Sequence, residues 1–431
     1  MSKEENRKNF SKYVSQNILG MIGFSCYVLA DSYFISIAKG ADGLTALNLV
    51  MPLYSIIFSI GEMIGVGSAI RYAISKIKKD ADADDYFWNA LIWCILSSML
   101  FVFAGIFFSA DIMRVLGADE HIVAVGNNYT KIFMCFAPMF MCNYVTNAFV
   151  RNDGAPGIAM SATLFSSLFN IVFDYILMFS MNLGMEGAAL ATALSPIIGM
   201  GICSIHFFSK KSSVRLVVCK PSVRKLVAGC QLGVSAFVGE MSSAVITLAF
   251  NFVILKLAGN VGVAAYGVVA NIAIVTTAVF NGVAQGSQPL ISSCFGRGDK
   301  DGCTQLKRMG YTTAFVLAAV MYSILFIFAG QFVAVFNSEG SEMLRLYATE
   351  GVKLYFIGIF FAGINIVGGG AFSATEDAFK AAVVSVARGF VLILGAVFVM
   401  SAFFGMTGVW LAYAVAEGIT TFIMLVMAMR V

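Results

Sequence analysis

Long apolar runs separated by short polar breaks dominate the chain. They fall at 14–38, 44–74, 86–108, 121–148, 156–180 and 185–209, and again at 226–256, 261–292, 304–330, 343–373, 379–402 and 406–429. Each has the length of a membrane-crossing helix, which takes about 20 mostly apolar residues. The breaks carry turn residues or charge: KGADG at 39–43, KKDADADD at 78–85, RNDGAP at 151–156 and GRGDKDG at 296–302. The longest break, 210–225, lies at the midpoint. The pattern predicts an all-α membrane protein of twelve transmembrane helices in two six-helix bundles. Residues 1–215 and 216–431 form the bundles, and 210–225 is a cytoplasmic linker.

The two halves resemble each other. GADGLTALNLV at 40–50 aligns with GNVGVAAYGVV at 259–269, and GVGS at 65–68 with AQGS at 284–287. AFVRNDGAP at 148–156 falls on AFSATEDAF at 371–379, and GMEGAALA at 184–191 on GMTGVWLA at 405–412. Lys131 and Lys353 are partners under the same offset. Ordered matches at a nearly constant spacing indicate an internal repeat. Six helices per repeat make both halves enter the membrane in the same sense, related by an axis along the membrane normal.

Composition agrees with the pattern, since 59% of residues are hydrophobic and 12% charged, against about 25% charged in soluble domains. No room remains for a separate soluble catalytic domain. The net charge of +4 matters less than its placement. With the N-terminus inside, 21 Lys and Arg fall in cytoplasmic segments and 4 outside, which orients the chain with both termini cytoplasmic. None of the nine Cys forms a C-x-x-C pair, and most sit within apolar runs as small apolar fillers. His121 and His206 lack partners at metal-ligand spacing. DADADD at 80–85 has no second Asp-rich loop and reads as a solvated turn.

Acidic residues inside the spans are the candidate chemistry, because a carboxylate at a helix centre costs about 2.5–3.5 kcal/mol on insertion scales. Five occur: Asp31, Glu62, Asp174, Glu240 and Glu417. At 1.5 Å per residue, Asp31 and Asp174 both lie about 25 Å from the cytoplasmic edge. Asn170 is one turn below Asp174 on the same helix face, and Tyr129 and Thr192 come to a similar level. Together they describe a polar pocket in which a proton loads and leaves, or in which the same oxygens of Asp31, Asn170, Asp174 and Thr192 coordinate Na⁺. The competing reading is that each Asp bonds a neighbouring helix. Glu240 is the corresponding anomaly of the second half and a possible second acidic site. Glu62 lies among small residues, where an interhelical hydrogen bond is expected. Glu417 and Arg388 sit on adjacent late helices and are expected to pair. Lys131, Lys353 and Glu62 are further candidates for charge in a cavity.

LADSYFIS at 29–36, NAFVRNDGAPGIAM at 147–160, LFNIVFDYIL at 168–177, GMEGAALATALS at 184–195 and GVAQGSQPLISSCFG at 282–296 resemble the multidrug and toxic compound extrusion (MATE) transporters, most closely the MepA-like bacterial group. The resemblance covers essentially the whole chain. It implies a V-shaped pair of six-helix bundles, alternating access, and antiport of an organic cation against H⁺ or Na⁺. Family residues carry over to Asp31, Asn170, Asp174, Thr192 and Tyr129. A seventh-helix glutamate of some members aligns with Ser243, one turn after Glu240. Their tenth-helix aspartate has no counterpart in 354–375, so the resemblance favours coupling through the N-terminal bundle.

The expectation is therefore a secondary efflux antiporter of the cell membrane, not an enzyme, with no cofactor beyond the coupling ion H⁺ or Na⁺. Its partners are a small-molecule organic cation or drug and the lipid bilayer, with no nucleic acid, and it acts as a monomer. The competing functions are a lipid-linked oligosaccharide flippase of similar architecture, which needs cationic residues for a pyrophosphate, and a membrane-embedded transferase, for which no paired metal motif is found.

Overall fold

The computed structural model describes residues 3–336 and 341–429, and among these it contains helices and no strand. Twelve consecutive helical segments follow the predicted order. The first six are α1 (Lys3–Gly40), α2 (Asp42–Lys78), α3 (Asp85–Val115), α4 (Glu120–Cys135 and Ala137–Asn152, bent by 46°), α5 (Pro156–Ser180) and α6 (Met185–Phe207). The last six are α7 (223–258), α8 (260–296), α9 (Lys300–Ile327, continued by Ala329–Phe336), α10 (Glu342–Ala374), α11 (378–404) and α12 (406–429). Among the described residues, nine continuous helical stretches are long and apolar enough to cross a membrane, ten with the bent α4 pair taken as one span; two of them, Val223–Gly296 and Ala378–Ala428, each contain two of these helices.

Three of the expected loops are much tighter than the sequence suggests. α1–α2, α7–α8 and α11–α12 each continue through a single non-helical glycine, Gly40, Gly259 and Gly405. Gly184, at the start of α6, adopts the same conformation. Gly40 (φ 58°, ψ −141°) matches Gly259 (61°, −157°), and Gly184 (54°, −128°) matches Gly405 (56°, −135°). A side chain is disfavoured there, because a β-carbon collides with the backbone in this region. These pairs stand at the aligned positions of the repeat, so the internal similarity is also a similarity of backbone geometry.

Helices α1 and α2 meet α7 and α8 at the end of the molecule that carries the helix starts Lys3 and Val223. Close approach depends on glycine. A β-carbon on Gly67 of α2 would stand 2.0 Å from the Gly229 carbonyl oxygen of α7, and one on Gly233 would stand 2.0 Å from that of Met63. Gly282 and Gly286 of α8 bring it against Ile18 and Val14 of α1 in the same way. Small residues serve this purpose in lipid, where association rests on van der Waals fit and interhelical hydrogen bonds. Polar contacts reinforce the seam. Arg71 Nε donates to the Ala228 carbonyl at 3.1 Å, Arg71 pairs with Glu376, and Asn6 donates to Gln305 at 3.2 Å.

Residues 208–222 have no regular structure and are stitched to the first six helices. Asp153 accepts from the Ser213 amide at 2.9 Å and contacts His206 Nε2 at 2.8 Å. Trp88 donates to the Cys219 carbonyl at 3.0 Å, and the Ser222 amide donates to Asn89 at 2.6 Å. The acidic run at 80–85 is spent here on ion pairs, Lys76–Asp84 at 2.6 Å and Lys225–Asp85 at 2.5 Å.

Candidate functional site

α5 and α6 are held together by the polar residues that the sequence groups. Asp174 and Asn170 are fully buried, and Thr192 is 1% exposed. With its amide oriented to satisfy both neighbours, Asn170 donates to Asp174 Oδ2 at 3.1 Å and accepts from the Thr192 hydroxyl at 3.1 Å. One acceptor is left over, since Asp174 Oδ1 is buried without a partner among the described residues. Asp31 enters from α1, 7% exposed, and its Oδ1 is likewise orphaned. The Phe34 and Tyr175 rings lie 6.4 Å apart, one turn beyond Asp31 and directly after Asp174. This contact holds the two helices at one level beside the two acids. A buried acceptor with no donor costs about 1–3 kcal/mol, more when charged. Two such oxygens, one on α1 and one on α5, are acceptors that a proton or a small cation would satisfy.

Tyr129 of α4, 1% exposed, forms a hydrogen bond with Tyr54 of α2, whose ring stacks on Phe133 at 3.6 Å. Tyr54 is a partner of Tyr129 that sequence reasoning missed, because one tyrosine among the apolar residues of α2 carries no positional signal.

Residues 17–176 and 236–399, more than half of the chain, match the MatE family. The chain belongs to that family, the multidrug and toxic compound extrusion transporters. It is similar to the multidrug export protein MepA of Staphylococcus aureus (strain MRSA252), 27% identical over 414 residues and covering 93% of this chain and 89% of the relative. MepA of Staphylococcus saprophyticus is 26% identical over 409 residues with the same coverage. Among solved structures, an outward-facing multidrug resistance MATE transporter of the MOP superfamily matches at TM-score 0.89 and 20% identity, covering 99% of this chain and 96% of that one. A MATE transporter in complex with MaL6 matches at TM-score 0.92 with the same identity and coverage. The chain is thus a multi-pass membrane transporter and not an enzyme, with the fold expected from its sequence.

Within this MATE fold the remaining candidates separate. Glu62 makes the expected interhelical bond, accepting from Gln285 of α8 at 3.2 Å. Glu417 pairs with Arg388 at 2.7 Å and also accepts from Asn365 at 2.7 Å. Glu240 is half-buried, lines a chamber together with Glu62 and has no hydrogen-bond partner among the described residues. Ser243 donates within its own helix, to the Gly239 carbonyl at 3.4 Å. Lys131 is exposed, and the Lys353 ammonium sits 5.2 Å from the Phe326 ring; neither lines the chambers that hold Glu62 and Glu240. Arg151, the first residue of the polar break 151–156, is 4% exposed and donates to Gln285 at 2.6 Å.

Proposed function

We propose that this MATE transporter is a secondary antiporter that exports organic, predominantly cationic compounds in exchange for H⁺ or Na⁺ by alternating access. Asp31 and Asp174 load the coupling ion, with Asn170, Thr192 and Tyr129 shaping the pocket. The lobes are residues 1–215 and 216–431, the protein is a monomer of the cell membrane, and both termini are cytoplasmic.

The observation that carries this reading is an asymmetry of neutralisation. In the second half, the buried Glu417 is balanced by Arg388. In the first half, two buried carboxylates have orphaned oxygens and no ion-pair partner among the described residues. A permanently paired acid cannot exchange its charge, whereas an unpaired one binds or releases a cation as access alternates. The MepA relatives, named as multidrug export proteins, support the drug-export part of the reading.

The test is uptake of a cationic dye into inverted proteoliposomes, with pH and Na⁺ gradients imposed separately. Asp31→Asn and Asp174→Asn should insert normally, since the neutral isostere lowers the cost of burial, and each should lose ion-driven uptake. Wild-type rates in either variant at matched reconstitution would overturn the assignment.

A further inference from the structure

Glu62 and Glu240 belong to opposite halves yet line the same two chambers. One chamber, about 110 Å³, lies within the first six helices and is lined by Tyr27, Phe58, Tyr144 and Arg151 as well as the two acids. The other, about 90 Å³, lies on the side of the last six helices, where Gln288, Asn365 and Arg388 join them. Glu62, Val66, Glu240 and Gln285 are common to both and form the wall between them.

The donors in reach do not balance the two acids. Arg388 is committed to Glu417. Arg151 reaches Glu62 only through Gln285, whose carbonyl it bonds while the Gln285 amide bonds the carboxylate. Counting Glu62, Glu240 and Arg151 leaves one negative charge. The other titratable or charged groups facing the chambers are Tyr27 on α1, Tyr144 on α4 and Arg388 on α11; α5, α6 and α8 contribute only neutral polar groups. Gln288, 6% exposed, adds a further acceptor to the same chamber, since its Oε1 is buried with no donor among the described residues. Like charges brought together away from water destabilise the arrangement unless a cation sits between them.

We propose that Glu62 and Glu240 form a second cation site, built across the interface of the two halves, which holds one small monovalent cation, Na⁺ or a proton, only while the glycine seam is closed. Opening that end carries Glu240 away from Glu62, returns each carboxylate to water and releases the ion. The proposal rests on the alternating-access reading but does not depend on Asp31 and Asp174 being the coupling pair.

The test reads the closed seam directly. In the full-length chain with native cysteines replaced, Lys78→Cys and Glu376→Cys are introduced at positions whose native side chains meet tip to tip (Nζ to Oε2, 3.5 Å) across the seam, and a bismaleimide spans the gap left by the shorter cysteines. Cross-linking yield is then measured in membranes over pH in choline medium, and over Na⁺ at fixed pH. With Glu62 and Glu240 intact, withdrawing the cation should lower the closed-to-open ratio, by up to about tenfold per pH unit for one linked proton. Recovery by Na⁺ at high pH identifies Na⁺ as an occupant; dependence on pH alone identifies the proton. Glu62→Gln and Glu240→Gln should each remain cross-linked irrespective of pH and Na⁺. Retention of the dependence in either variant, or its absence with both acids present, overturns the proposal. The Asp31→Asn/Asp174→Asn background should retain the dependence; its loss there assigns the effect to that pair and ends the inference while leaving antiport standing.

Discussion

At the scale of residues, Glu417 and Asp174 are both buried acids with opposite responses to neutral substitution. Glu417 takes two donors from Arg388 and one from Asn365, so removing either partner strands a buried charge at a cost of about 3–5 kcal/mol. Arg388→Met and Glu417→Gln should each lower thermal stability in a fluorescence-monitored melt. The double variant should melt above both single variants, because it buries no unpaired charge. A double variant as unstable as the sum of the singles would show that the pair does more than neutralise itself. This ion pair and the Asp31, Asn170, Asp174 and Thr192 group were legible in the sequence, since charge inside an apolar span is conspicuous and helical rise gives its depth. Arg151, Gln285 and Tyr54 were not. Arg151 is written in a polar break, RNDGAP, and only the approach of α8 buries it. Gln285 and Tyr54 acquire meaning only from partners on other helices.

At the scale of elements, the apolar runs placed all twelve helices but not the tightness of their connections. Period and polarity mark where a helix ends; they do not reveal that the next one begins a single residue later. Gly40 and Gly259 make those turns at positive φ with open space around the missing side chain, so crowding is not the constraint and backbone strain is. Gly40→Ala and Gly259→Ala should each cost about 1–3 kcal/mol, read as a lower melting temperature of the detergent-solubilised protein. Gly201→Ala, also in open space but within regular α6, should leave the melt unchanged or raise it. An equal loss at Gly201 would mean that the assay reports something other than turn strain.

At the scale of the whole molecule, the Lys and Arg bias predicts which ends of the helices face the cytoplasm. Single cysteines at 80, 213 and 299, in a background without native cysteines, should be protected from an impermeant maleimide in intact cells. A cysteine at 119 should be labelled. Labelling at 213 would be especially damaging, since that residue is tied to Asp153 at the same end as the glycine seam. The bias was available from the positions of Lys and Arg in the sequence, whereas the closed seam was not. Gly67, Gly229 and Gly233 look like any other small residues until α2 and α7 are laid against each other.

The paired hinge glycines allow the halves to be read as descendants of one ancestral six-helix chain. Counting back nine residues from Gly40 reaches Asp31, while the same count from Gly259 reaches Phe250, which is fully buried. Counting forward eight from Gly184 reaches Thr192, and from Gly405 reaches Tyr413. The duplicated backbone has been inherited twice, but the acid pocket survives in one copy and has been filled with aromatic rings in the other. An ancestor that paired two identical copies would have carried two equivalent pockets. In this chain that equivalence is gone at these positions: the first half carries Asp31 and Thr192 there, and the second carries Phe250 and Tyr413, both packed on Tyr355.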